Sequence, residues 1–213
     1  MLQYQISLPS EEAKIRTVAV LLHGRGSHDG DLQAIRPLLP GDWTLVTPQA
    51  PHPGGPWGYG PGWAWYRYIS EDLVEEQGLR SSLEALDGFL QELPEILGAA
   101  PSRIVLGGFS QGGTTSMAYA LTRPGRVTAV LNFSGFLPAA EAISTEAAGP
   151  DTAPLFWAHG TRDPNIPHRL AVLGRGRLAS AGVPLTAKDY PIGHWIDPEE
   201  VADAVRFVRG VGE

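Results

Sequence analysis

The stretch Ile104-Val105-Leu106-Gly107-Gly108-Phe109-Ser110-Gln111-Gly112-Gly113 constrains the fold of this chain more than any other. An apolar, β-branched run enters G-x-S-x-G, and a helix-forming run from Thr114 to Leu121 follows. A strand can pass into a helix over so few residues only through a cramped turn, where a Cβ would clash and glycine is needed. A serine at the apex of that turn is lifted out of the regular backbone at the end of a sheet. The helix behind it points free N–H groups at the same place and favours an anion there. Ser110 therefore reads as a nucleophile. A chain with 26 glycines in 213 residues can produce the spacing by chance, so context has to decide. The competing reading is a glycine-rich phosphate-binding turn, but no Walker lysine follows and the Rossmann spacing is missing.

The rest of the chain supplies the sheet that such a turn requires. Strands are predicted at Gln3–Leu8, Val18–Leu22, Trp43–Thr47, Arg103–Leu106, Val127–Phe133, Leu155–His159 and Leu185–Tyr190. Most of the internal ones are continuous apolar runs, the pattern of parallel strands buried on both faces. Between them, Leu79, Leu83, Leu86, Phe89, Leu90 and Leu93 recur at helical spacing. Further helices are predicted at Asp29–Leu39, Gln111–Leu121, His168–Ala181 and Pro198–Val208. Strands alternating with helices make an α/β fold with a mostly parallel central sheet and helices on both faces. No repeat and no linker divides the chain, so one domain over residues 1–213 is expected, with no large cap domain.

A serine nucleophile needs a base, and the base needs an orienting acid, in the chain order Ser, Asp or Glu, His. Asp163 lies just past the strand that ends at His159, on the sheet edge that carries Ser110. His194 lies in Pro191-Ile192-Gly193-His194-Trp195, a loop between the last strand and the last helix. His194 would take the proton of Ser110 during attack on an acyl carbon and return it to the leaving group. It must start neutral, so turnover should fall as acid protonates the ring. Asp163 would hold the ring's tautomer and stabilise the imidazolium. Asp163 before a proline can equally cap a turn, and His194 can be a packed loop residue. His23, His28, His52, His159 and His168 compete as base. Their place in the chain favours His194, and His23 and His159, each before a glycine at a strand end, are read as braces of the site.

The strand Thr17–Leu22 ends in His23-Gly24-Arg25-Gly26-Ser27. A loop of this kind can offer one backbone N–H to an oxyanion, and the residue after the nucleophile offers the other. These are Arg25 and Gln111, the alternative for the first being a plain strand-to-helix turn.

With these pieces the chain resembles the carboxylesterase/phospholipase group of α/β-hydrolases, which includes acyl-protein thioesterases and small bacterial carboxylesterases. The resemblance covers nearly the whole chain. It rests on Leu22-His23-Gly24-Arg25-Gly26, Pro48-Gln49-Ala50-Pro51, Gly108-Phe109-Ser110-Gln111-Gly112-Gly113, Ser134-Gly135-Phe136, His159-Gly160-Thr161-Arg162-Asp163 and Gly193-His194. It implies the α/β-hydrolase fold and ester or thioester hydrolysis, with Ser110, Asp163 and His194 as triad. Acyl-protein thioesterases usually carry an apolar residue where Arg25 stands, which brings this chain nearer to the small bacterial esterases.

Composition removes several other classes. A net charge of -7 gives no electrostatic footprint for nucleic acid, and no Lys/Arg tract is present to hold an anionic membrane. There is no cysteine, hence no disulfide, thiolate metal site or cysteine nucleophile. No metal and no cofactor is implied, since no histidine shows the H-E-x-x-H spacing. Residues Met1 to Pro9 alternate as a strand does rather than as a signal peptide, and no apolar run approaches transmembrane length. A cytoplasmic monomer or homodimer acting on a small-molecule ester, without membrane insertion, is the default.

Two features bear on the substrate. Pro48 to Tyr68 concentrates aromatic residues among prolines and glycines; Trp65 and Tyr66 are expected to wall the acyl or alcohol pocket, unless these rings merely cover a sheet edge. The piece from Phe136 to Ala153 is too short for a helical cap, which predicts an open pocket. Serine carboxylesterase action on small to medium acyl esters is the first reading. A thioesterase or lysophospholipase-like enzyme for longer chains is the second. A non-catalytic small-molecule binder on the same scaffold is the third.

Overall fold

A computed structural model describes residues 1–9, 16–140, 143 and 148–211. Seven strands form the main sheet: β1 (Tyr4–Ser7), β2 (Thr17–Leu22), β3 (Thr44–Pro48), β6 (Arg103–Phe109), β7 (Ala129–Phe133), β8 (Leu155–Gly160) and β9 (Leu185–Tyr190). Their order across the sheet is β1-β3-β2-β6-β7-β8-β9. Only β1 runs antiparallel, against β3; the other pairs are parallel. This is the mostly parallel α/β sheet expected. Two residues each of β4 (His52–Pro53) and β5 (Trp63–Ala64) form a separate antiparallel ribbon that the sequence pattern does not reveal.

Alternation along β2 explains the layers. Val18, Val20 and Leu22 pack into one apolar cluster with Leu79, Leu83 and Leu86 of α1 (Glu76–Ile96), Met117 and Ala118 of α2 (Gln111–Thr122), and Leu170 and Leu178 of α3 (His168–Ser180). Ala19 and Leu21 pack into a second cluster with Leu32 and with Val201, Ala204 and Val208 of α4 (Pro198–Gly210). Successive side chains of a strand point to opposite faces, so one buried strand supplies both cores.

The helix predicted at Asp29–Leu39 is a 3-10 helix, Asp31–Leu38. Pro37 lies inside it and Pro40 follows. A proline has no N–H to continue an α-helical ladder, which favours the tighter turn. Of the piece Phe136–Ala153, in which no cap was expected, residues 141, 142 and 144–147 lie outside the described residues.

Strand order places the site. From β2 the chain moves outward to β3, then crosses back to β6 on the other side of β2. In an open parallel sheet the crevice beyond the carboxyl ends of two such strands is the usual ligand position. Here those ends carry His23-Gly24-Arg25 and Phe109-Ser110-Gln111.

Candidate active site

Ser110 joins β6 to α2 with φ 54° and ψ -116°. A non-glycine residue at positive φ is strained and persists only where its surroundings impose it. Here they do: the Ser110 N–H donates to Phe133 O at 2.8 Å, and Ser110 O accepts from Thr114 N–H at 3.0 Å. The glycines permit close approach. A Cβ on Gly112 would run into the carbonyls of Leu22 and His23, and one on Gly113 into the Asn132 side chain. Glycine at these positions therefore lets α2 begin against the end of β2 and against Asn132 of β7.

The three residues expected as a triad are brought together. Ser110 Oγ lies 2.9 Å from His194 Nε2, and His194 Nδ1 lies 2.6 Å from Asp163 Oδ2. Asp163 Oδ1 accepts from the N–H groups of Asn165 and Ile166, each at 2.8 Å. Burial pushes the Asp163 carboxyl up, but the hydrogen bonds from His194 and from Ile166 and Asn165 outweigh it, and its pKa lies below the ordinary carboxylate value. With an ionised partner at Nδ1, that nitrogen carries the imidazole proton and Nε2 is left to accept from the Ser110 hydroxyl. The His194 ring rests on Phe109, centroids 4.6 Å apart. Behind this row, buried His159 donates from Nε2 to Ile166 O at 2.9 Å and fastens the loop that carries Asp163.

Arg25 and Gln111 flank the serine. His23 is buried, with Nδ1 2.7 Å from Gly24 O and Nε2 accepting from Ala50 N–H at 3.0 Å. Burial lowers the His23 pKa and keeps it neutral, which the acceptor role of Nε2 requires. In a planar trans peptide the C=O and N–H point in opposite directions. His23 therefore turns the Gly24 carbonyl toward itself and the Arg25 N–H away. Gln111 N–H is a free first-turn amide of α2, while its side chain accepts from Trp65 N–H at 2.8 Å and donates to Tyr66 O at 2.6 Å.

A cleft of about 420 Å³ opens over Ser110 and His194. Trp65 and Tyr66 are not in its wall. Both are fully buried in the core beneath it, 0% exposed, and Trp65 Nε1 donates to His23 O at 3.0 Å. The short β4–β5 ribbon and the Gln111 side chain pull this backbone inward. The lining is supplied instead by Arg25, Tyr68, Phe109, Asn165 and Ile166, together with polar Ser27, Asp31, Ser70 and Glu71. Of these the sequence reading singled out only Arg25, and that for its backbone N–H. Tyr68 belongs to the same aromatic run as Trp65, but that run has no period from which an inward or outward face can be assigned.

Residues 5–211 match the phospholipase/carboxylesterase family. The chain belongs to that family. Among its relatives is acyl-protein thioesterase 1 of Cryptococcus neoformans var. neoformans serotype D, 31% identical over 178 residues that cover 77% of this chain and 73% of the relative. Among solved structures, esterase PE8 superposes with a TM-score of 0.80 at 27% identity, covering 99% of each chain. The Bacillus cereus carboxylesterase has a TM-score of 0.83 at 18% identity over 99% of this chain and 95% of its own, a likeness of fold. Membership in this family supports ester hydrolysis. Among the described residues no helix is long and apolar enough to cross a membrane, and no group of three acidic or histidine side chains could hold a metal ion.

Proposed function

We propose that this protein is a serine carboxylesterase that hydrolyses small to medium acyl esters through an acyl-enzyme, with residues 1–213 acting as one cytoplasmic hydrolase domain. The hydrogen-bonded row Ser110–His194–Asp163, at 2.9 and 2.6 Å, carries the reading. Ser110 Oγ attacks the acyl carbon while its proton passes to His194 Nε2. The carbonyl oxygen becomes an oxyanion held by the N–H groups of Arg25 and Gln111, donors each worth roughly 3–4 kcal/mol to a transition state of this kind. The tetrahedral intermediate collapses, the ester C–O bond breaks, and His194 protonates the departing alcohol. Water then gives its proton to His194 and attacks the acyl-enzyme, releasing the acid and restoring Ser110.

The cleft favours small and medium acyl groups over long ones. A long alkyl chain is bound by continuous apolar surface, whereas this cleft is lined by charged Arg25, Asp31 and Glu71 as well as by Tyr68, Phe109 and Ile166. The test is hydrolysis of p-nitrophenyl esters across acyl lengths by wild type and Ser110→Ala. Turnover that peaks at short to medium chains and is lost in the variant is expected. A peak at long chains would move the assignment to the lysophospholipase or thioesterase reading. A folded protein without turnover on any ester would support the non-catalytic binder.

A further inference from the structure

Among the described residues, Arg25 is the one arginine or lysine that lines the cleft. Its guanidinium carbon lies 4.9 Å from the Tyr59 ring centroid and 5.4 Å from that of Tyr68. Arg25 and Tyr68 both line the cleft that holds Ser110. The two acids that line the cleft have other partners: Asp31 accepts from Ser27 Oγ at 2.6 Å, and Glu71 pairs with Arg169. Among the described residues no ion pair and no protein hydrogen bond engages the guanidinium.

The two rings attract the cation through their π-faces, and this contact occupies no carboxylate or carbonyl partner of its N–H groups. Two parallel N–H groups in the guanidinium fork fit a carboxylate bidentately. The rings themselves are fastened: Tyr68 N–H donates to Tyr59 Oη at 2.8 Å, and the Tyr68 ring stacks on buried Phe136 with centroids 5.9 Å apart. The platform is thus set before a substrate arrives, and little side-chain freedom is lost on binding. The register is also fixed. The residue before Arg25 abuts the nucleophile so closely that a Cβ on Gly24 would lie 3.7 Å from Ser110 Cβ. Arg25 is the next residue along the chain, and it lines the same cleft.

From this geometry we infer that Arg25 forms an anion subsite, and that the preferred substrates are esters carrying a second, ionised carboxylate a few bonds from the scissile carbonyl, such as half-esters of short dicarboxylic acids. This rests on the esterase reading above and narrows its substrate class. An uncharged side chain would leave the aromatic platform and the backbone in place but remove the fork.

The experiment compares monoethyl adipate with ethyl hexanoate, matched in length and differing in the terminal carboxylate, in wild type, Arg25→Gln and Arg25→Lys. The readout is the ratio of kcat/KM for the acidic ester to that for the neutral one, which cancels any change in the oxyanion contacts common to both. A charge-assisted bidentate contact of this kind corresponds to about a tenfold change. Arg25→Gln should lower the ratio about tenfold, and Arg25→Lys, which keeps charge but not the fork, should fall between. An equal ratio in wild type and Arg25→Gln overturns the subsite while leaving the esterase reading intact. Binding of adipate to wild type and Arg25→Gln, measured by calorimetry, decides the matter independently of turnover. If neither ester is hydrolysed, weaker adipate binding in Arg25→Gln still supports the subsite, and equal or absent binding in both proteins overturns it.

Discussion

Asp163 accepts three hydrogen bonds on a side chain shielded from water, and each bond fixes a different feature of the site. The two backbone donors occupy Oδ1, so only Oδ2 faces His194. This makes Asp163→Asn an informative change. The backbone N–H groups still demand an acceptor, so the new amide oxygen stays at Oδ1 and its NH2 turns toward His194 Nδ1. Nδ1 must then accept, the ring proton moves to Nε2, and Nε2 offers a donor to a serine that needs an acceptor. Turnover of a p-nitrophenyl ester should fall by about 10³ to 10⁴ with KM little changed. A loss of less than tenfold would remove Asp163 from the triad. Trp65 provides the contrast. It was expected at the pocket and lies in the core, so Trp65→Ala should act on stability first, by about 3–5 kcal/mol in denaturant unfolding.

The turn between β6 and α2 shows how an element encodes its neighbours. Each glycine around Ser110 faces a particular obstacle: Leu22 and His23 carbonyls for Gly112, the Asn132 side chain for Gly113. Asn132 Oδ1 in turn accepts from Gly135 N–H at 2.8 Å, at the end of β7 beside the serine. Gly113→Ala should therefore cost about 1–3 kcal/mol from overpacking, and it should lower kcat as well, because relief requires α2 to move away from β7 and carry Ser110 with it. Thermal unfolding and kcat measured on the same preparation check the coupling; a normal kcat at reduced stability would show that the helix can shift without the serine. This element was legible because its constraints are local: apolar run, glycine, serine, glycine, helix. Apolar runs and chain order likewise brought out the seven-stranded sheet and the three residues now found in one hydrogen-bonded row. The 48–68 segment was not legible for the opposite reason. Its course is set by contacts distant in sequence, the Gln111 side chain on Trp65 and Tyr66 and the Ser82 hydroxyl on Trp65 O, and no periodic pattern records them.

At the scale of the whole molecule, a buried acid closes the far end of the loop that carries His194. Glu200 in α4 is 0% exposed; its side chain accepts from Asp197 N–H at 2.8 Å, closing a capping box just past the His194 loop, and Oε1 has no partner among the described residues. Burial raises its pKa from 4.5 to about 7, and the negative charges of Asp197 and Asp163 add to the rise against the opposing Asp197 hydrogen bond. A carboxyl raised on folding binds its proton more tightly in the native state, so ionisation penalises the fold. The penalty is absent below the ordinary carboxylate range, grows as pH rises through that range toward 7, and is complete above it. Glu200→Gln removes the titration and keeps an acceptor for Asp197 N–H. Its stability relative to wild type should therefore increase between pH 5 and pH 8, by at most about 3 kcal/mol. His23 and His159 pull the other way, because burial lowers both and the native state loses stability as acid protonates the unfolded rings first. They are common to both proteins and cancel in the difference, so denaturant unfolding of wild type and variant at the two pH values isolates Glu200. A difference that does not change with pH would mean that Glu200 ionises as freely in the folded protein as in the unfolded chain, and the cap behind His194 would then be held by a charge rather than by a buried acid.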